Sequence, residues 1–321
     1  MIFSIVIPLY NKQDKIEDCL RSVITQSFND YEVIVVNDGS TDDSVSILKA
    51  IIKNNPEIDI KLLMQENCGV SAARNAGAGQ AATDYICFLD ADDEWKSYFL
   101  EKMLHLIEDF PEANLYCLGH EIYRPEVGIY KPKHGCDSDF RGYIHDFFET
   151  STKGSVAKSS KICVRKHAFE LTGGFPTGEK VGEDLHVWMM LALQGKVACE
   201  PIIGATIYQM PDESRRERAS AIPYPIEYFR KKENKKLLTR SAKAYLKKII
   251  LMHFLGSSLK RDYNTAFSIW RKSLKMFPFS VSLYFITALL PINLLRVLRK
   301  KRAMSGINNK LVAGANADKN T

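Results

Sequence analysis

The sequence predicts an α/β fold: a Rossmann-like mixed sheet, mostly parallel and flanked by helices, with a basic helical extension behind it. Three observations predict it. Short β-branched runs alternate with helix-length segments through roughly the first 120 residues, the pattern of βαβ units. A turn or capping residue separates each run from the next. Charge then divides the chain: residues 223–305 hold 19 Lys/Arg against 3 Asp/Glu, whereas the first 222 hold 23 against 34.

Taken in order, residues 2–8, 32–37, 59–65 and 84–89 are candidate strands, and residues 14–26, 43–54 and 70–80 the helices between them. A helix over about 97–110 and a strand near 114–118 follow. From 120 to 142 the pattern turns irregular, with Pro, Gly and His and no clear period, and reads as a loop or hairpin insertion. Regular structure resumes at 161–165, a Gly173-Gly174-Phe175-Pro176 turn, and a helix from about Glu183 to Leu193 closed by Gly195. Residues 1–222 make one domain, 223–305 a basic helical region that breaks off near Pro223 and Pro225, and 306–321, rich in Asn, Ala, Gly and Lys, a disordered tail.

With 321 residues the chain can bury a large core. Its seven cysteines are odd in number and contain no Cys-x-x-Cys pair, so they read neither as a disulfide framework nor as a zinc site, and favour a reducing cytoplasm. The seven histidines show no ligand spacing. Residues 1–8 lack the basic start and cleavage site of a secretory signal and read as a first strand.

Open α/β sheets bind ligands beyond the carboxyl ends of their strands. The fourth candidate strand runs straight into Asp90-Ala91-Asp92-Asp93-Glu94, four carboxylates within five residues. Acids so close raise one another's pKa or need a cation between them, and hard oxygen donors suit Mg2+ or Mn2+. An isolated Asp-x-Asp is common, and a solvated acidic turn capping the next helix is the competing reading. Position at a strand end raises the metal reading over the solvated turn.

Other strand ends deliver polar groups to the same edge. Asp38, in Asn37-Asp38-Gly39-Ser40-Thr41-Asp42, can build a tight turn, hold a nucleotide's base or ribose, or do both. Small residues of Gly69-Val70-Ser71-Ala72-Ala73-Arg74-Asn75-Ala76-Gly77 permit close helix packing, which does not account for Arg74 and Asn75. Pro8-Leu9-Tyr10-Asn11 ends the first strand.

Together Ser4 through Asn11, Val36 through Asp42, Asn67-x-Gly69 through Gly77, and Phe88 through Asp93 resemble the inverting family-2 glycosyltransferases of the GT-A fold, over about the first 220 residues. The resemblance implies a nucleotide-sugar donor, with Pro8, Tyr10 and Asp38 lining the nucleoside pocket, Arg74 on the donor side, Asp90 at the ribose, and Asp92 at an Mn2+ or Mg2+ ion on the diphosphate. Asp93 and Glu94 are left for capping and support. It also implies a catalytic base in Glu183-Asp184, here Asp184, because inversion needs a carboxylate to take the acceptor's hydroxyl proton. Complementing a helix N-terminus is the plainer role for both acids.

Two departures fall downstream. The family's Glu-Asp-x-Asp-Leu-Trp-Leu-Arg run reads Glu183-Asp184-Leu185-His186-Val187-Trp188-Met189-Met190, and the segment after the last core strand is Tyr208 through Arg216. Trp188 suits stacking on a sugar or packing in its helix, and Arg215 and Arg216 suit a diphosphate clamp or a solvated loop. These departures bear on the acceptor.

Residues 277–298 are long enough to cross a bilayer, but Pro278, Pro291, Asn293 and Arg296 favour an interfacial helix pair. The basic region then predicts peripheral attachment to an anionic membrane surface at the cytoplasmic face, with a packed helical lid as the alternative. The resemblance favours a UDP-sugar and a saccharide or lipid-linked acceptor for surface polysaccharide. A sugar-nucleotide nucleotidyltransferase would need a Gly-rich loop after the first strand, a haloacid-dehalogenase-like phosphatase carries its Asp-x-Asp there too, and a non-catalytic membrane-binding protein would not need the acidic cluster. No nucleic-acid motif is present.

Overall fold

In the computed structural model, residues 1–210 and 221–278 are described. The first half alternates as expected: β1 (Phe3–Leu9), α1 (Ile16–Ile24), β2 (Tyr31–Asp38), α2 (Ser44–Asn54), β3 (Ile60–Gln65), α3 (Val70–Gln80) and β4 (Tyr85–Phe88). After β5 (Glu94–Trp95) and α4 (Phe99–Asp109) come β6 (Ala113–Arg124), β7 (Gly128–Tyr130), β8 (Gly142–Tyr143) and α5 (Phe147–Lys153). A 3-10 turn (Ser159–Lys161), β9 (Ile162–Arg165), α6 (Lys166–Leu171), α7 (Glu183–Gln194) and β10 (Lys196–Tyr208) follow.

Among the described residues these strands form one mixed sheet, ordered β3-β2-β1-β4-β9-β6-β10-β5, with β7 on β6 and β8 on β10. β3, β2, β1 and β4 run parallel; β9 runs antiparallel between β4 and β6. Helices cover both faces, so β1 and β2 read as continuous apolar runs rather than alternating ones. Close contact with α3 explains that helix's small residues: a Cβ on Gly77 would lie 2.4 Å from Val6 Cγ1. Polar groups inside this layer are paired. Ser4 Oγ donates to Glu32 Oε1 at 2.6 Å, and the Ala82 amide donates to the same oxygen at 2.7 Å.

In the second half the irregular stretch from 120 takes the hairpin form of the two expected: β6 continues to Arg124 and pairs antiparallel with β7, and most of the later part is loop. The last core strand, expected before Tyr208 without bounds, is β10, whose apolar run Pro201 and Gly204 interrupt. It forms by bulging: its register against β6 shifts between Glu200 and Ile203 and again before Ala205, and Gly119 supplies the room, since a Cβ there would lie 2.2 Å from Pro201 O.

The chain divides into two compact units, Met1–Asp212 with Leu237–Tyr245, and Glu213–Lys236 with Leu246–Thr321. Described helices beyond the sheet are α8 (Tyr224–Phe229), α9 (Lys232–Lys235), α10 (Arg240–Leu259) and α11 (Tyr263–Leu274). Within the second unit Glu227 pairs with Arg230 and Lys272, and Asp262 caps α11 through the Thr265 amide. No helix among the described residues is long and apolar enough to cross a membrane. Nearly all of the 277–298 stretch, and the tail 306–321, lie outside the described residues.

Candidate active site

The acidic turn leaves β4 where expected. Leu89 still bonds back to Val6 O at 3.0 Å, and the Asp93 amide closes the turn on Asp90 O at 2.9 Å. The four acids are not equivalent. Asp93 is buried, its Oδ2 accepting from Ser160 Oγ at 2.5 Å and its Oδ1 from the Tyr208 amide at 2.9 Å. Burial, then the charges of Asp90 and Asp92, push its carboxyl up to about 8. Ser160 also accepts from the Asp90 amide, at 3.3 Å, so this side chain ties the turn to the 3-10 element. Glu94 enters β5 opposite Thr206. Asp90 and Asp92 keep partly exposed carboxylates, 32 % and 22 %.

Each of those two faces a protein cation. Lys12 Nζ, carried by the β1–α1 turn, lies 2.8 Å from Asp92 Oδ2. Arg74 NH2 lies 2.6 Å from Asp90 Oδ1. Arg74 is itself buried, and its other terminal nitrogen reaches Glu183 Oε1 at 3.5 Å, an ion pair without hydrogen-bond geometry. The guanidinium therefore bridges the turn after β4 and the start of α7. Burial disfavours its charge, but Asp90, Glu183 and Asp184 more than compensate and hold it firmly protonated.

Local pairing aims these groups. Asn75 makes two hydrogen bonds to Phe175, from Nδ2 to the carbonyl at 2.7 Å and from the Phe175 amide to Oδ1 at 2.8 Å. The Gly-Gly turn needs its glycines: both have positive φ, and a Cβ on Gly174 would lie 2.7 Å from Asn75 Oδ1. Asn11, at φ 49°, receives the Thr41 amide on Oδ1 at 2.8 Å, and Ser44 Oγ receives the Lys12 amide at 2.8 Å. The β1–α1 and β2–α2 turns are thereby joined under Lys12.

Asp38 is buried, and three hydrogen bonds from Gln65 Nε2, the Cys68 amide and the Gly69 amide, at 2.7 to 2.8 Å, occupy both its oxygens. It organises the β3–α3 loop beside the strand ends. Tyr10 is 45 % exposed beyond β1, and Pro8 stands next to Val36 in register.

Glu183 and Asp184 open α7 behind Gly182, whose φ of 79° starts the helix sharply. Asp184 Oδ1 accepts the Leu185 amide at 2.6 Å. Burial, then Asp184, push Glu183 up to about 7 against the pull of Arg74. Tyr245 of α10 is buried facing this start, its phenol pushed up to about 12 by burial and by Asp184.

For Trp188, one turn further on, the structure takes the packing reading of the two left open. The tryptophan is 1 % exposed and packs against Phe88 and Phe175, with ring centroids at 6.5 and 5.8 Å, so no ring face is open to a sugar. The same helix that presents Glu183 at the edge turns Trp188 toward the sheet. Arg215 and Arg216 lie outside the described residues. Lys12, Ser160 and Tyr245 are the contributors that sequence reasoning missed. Lys12 could have been found beside Tyr10-Asn11; no local pattern marks the other two.

The donors at the edge fit a hard divalent cation. They are carboxylate oxygens, and Asp92 already faces a positive charge.

Residues 4–169 match the family described as Glycosyl transferase family 2. The glycosyltransferase YibD of Escherichia coli is 48 % identical over 91 residues, 28 % of this chain and 26 % of its own. TuaG of Bacillus subtilis, named for teichuronic acid biosynthesis, is 40 % identical over 106 residues, 33 % of this chain and 42 % of its own. The chain thus spans less than half the length of these relatives. Among solved structures, S. aureus TarS 1-349 in complex with UDP-GlcNAc superposes with a TM-score of 0.66 at 17 % identity, covering 94 % of this chain and 92 % of that one, a likeness of fold.

Proposed function

The chain belongs to glycosyl transferase family 2, and from that premise we propose an inverting, metal-dependent glycosyltransferase. It moves a sugar from a nucleotide-diphospho-sugar, a UDP-sugar, to a hydroxyl of a saccharide or lipid-linked acceptor in surface polysaccharide synthesis. The Arg74 bridge carries this reading: one buried guanidinium holds Asp90, at the donor side, to Glu183, beside the base. UDP-GlcNAc on TarS, of like fold, and the naming of TuaG support the donor and the pathway class.

Asp92 would hold Mn2+ or Mg2+, which when bound neutralises charge on the departing diphosphate, with Asp90 on the ribose side of the donor. Pro8, Tyr10 and Asp38 line the nucleoside side, Asp38 by fixing the loop at Cys68 and Gly69. Asp184 takes the acceptor's hydroxyl proton as that oxygen attacks the anomeric carbon opposite the leaving diphosphate, which inverts the centre. Glu183, pushed up to about 7, is half neutral near that pH and relieves repulsion beside Asp184. Arg215 and Arg216, outside the described residues, are proposed as partners of the diphosphate charge. The basic residues of 223–305 attach the protein peripherally to an anionic membrane surface at the cytoplasmic face; recovery in the soluble fraction at low salt would refute that attachment.

Binding of UDP-, GDP- and dTDP-sugars, measured with and without Mn2+, tests the donor. One class should bind, the metal should strengthen it, and Asp92→Asn should remove the metal's contribution. Failure of all three classes to bind would end the reading.

A further inference from the structure

Among the described residues, one group of metal-ligating side chains lies outside the carboxylate edge: His134, Cys136 and Cys199, whose ligand atoms all lie within 4.8 Å of one another. Spacing in the sequence hides it, because Cys199 comes from β10, 65 residues from His134. We propose that these three residues bind Zn2+, a soft, thiophilic cation unlike the hard ion suited to Asp92.

The dimensions fit. Zn–S bonds of about 2.3 Å and Zn–N bonds of about 2.0 Å in a tetrahedron set ligand atoms roughly 3.5 to 3.8 Å apart. Cys199 Sγ and His134 Nε2 are 3.8 Å apart. Cys136 and His134 are half-buried on a loop, so closing the remaining distance moves loop side chains and leaves the sheet in place.

The loop is built rather than loose. Ser155 donates to Lys133 O at 3.0 Å, and the loop's backbone presses on the end of α5: a Cβ on Gly135 would lie 2.4 Å from Thr150 O, and one on Gly154 2.5 Å from His134 O. Beneath it, Lys161 is fully buried and donates to Ser155 O at 3.1 Å. Its ammonium lies near Cys117, Cys199 and Cys136, so the buried wall under the loop is rich in sulfur.

Binding forms two Zn–S bonds and one Zn–N bond; both cysteines ligate as thiolates, and any proton they carry passes to solvent. One local change is required. The Cys136 amide now points at His134 Nδ1 at 3.1 Å. With zinc on Nε2 the imidazole proton resides on Nδ1, so that amide must turn away. Solvent takes the fourth position.

The site is tested on the full-length protein. After desalting, metal analysis should find about one zinc per chain. Co2+ in its place should give thiolate-to-metal charge-transfer absorption. His134→Asn and Cys136→Ser, both at half-buried loop positions, should lower retained zinc at least about tenfold while circular dichroism stays unchanged. Asp92→Asn should retain zinc fully, which separates this site from the donor chemistry. Trace zinc with no Co2+ charge-transfer band, wild-type zinc in both loop variants, or a Cys136–Cys199 disulfide mapped in the unreduced protein would each overturn the proposal.

Discussion

The first turn of α7 and the turn that follows it belong to different regions of the molecule. At its start, Glu183 and Asp184 join Arg74, Asp90 and Asp92 in a charged edge where carboxylates outnumber the cations that hold them. One turn on, Trp188 enters a core of Phe88, Phe169 and Phe175. The edge places groups of one charge against one another and holds them with a bridging arginine, as suits a site that must receive a charged ligand. The interior around Trp188 is aromatic and apolar, and charged groups buried elsewhere in the sheet layer, such as Glu32, are held by hydrogen bonds. Position along a single helix thus decides whether a residue serves chemistry or packing.

Asp184→Asn separates the two most strongly. It should lower transfer by about 100- to 10,000-fold, the usual worth of a general base, with donor binding and thermal midpoint unchanged; full transfer by the variant would remove Asp184 as base. Trp188→Ala should do the reverse, costing about 3 to 5 kcal/mol in urea unfolding. Trp188→Phe should keep acceptor KM, whereas a raised KM in that variant would return Trp188 to the sugar site.

pH should act on the two regions with opposite sign. Glu183 is pushed up to about 7, so the fold favours its neutral form. Its contribution is complete below its unfolded pKa and declines as pH rises toward 7; Glu183→Gln should flatten that slope. His120, buried behind the edge, is pulled down to about 2 by burial and by Lys161. Its contribution is complete above about 6.5 and is lost on acidification, and His120→Gln should flatten the acid limb. Unfolding midpoints across pH for the three proteins check both signs.

Lys12→Ala should have the smallest effect. Its ion pair with Asp92 is partly exposed and contributes less than about 1 kcal/mol. Freed of that competitor, Asp92 should bind Mn2+ a few-fold more tightly by calorimetry. Weaker Mn2+ binding would mean that Lys12 supports the ion instead of competing with it.

The first half of the fold was legible because its code is local. An apolar run buried on both faces, then a turn, then a helix, repeats from Phe3 to Phe88, and the parallel crossovers follow. Asp90, Asp92 and Asp38 could be singled out because each stands at or within a few residues of a strand end, and Arg74 because the small residues around it in α3 do not account for it. The bounds of β10 were not legible because Pro201 interrupts its apolar run, and only the space above Gly119 lets the bulge form. His134, Cys136 and Cys199 escaped because no short spacing joins them.

By itself the sequence determined the alternation of strands and helices through β4, the edge to which polar groups are delivered, and the acidity of that edge, since hydrophobic period and turn chemistry act over a few residues. Tertiary structure alone decided that Arg74 spans Asp90 and Glu183, that Asp93 is a buried anchor while Asp92 faces outward, and that Trp188 is core. Those outcomes depend on which distant segments meet and how much water they exclude, and burial and charge pairing are properties of the assembled neighbourhood.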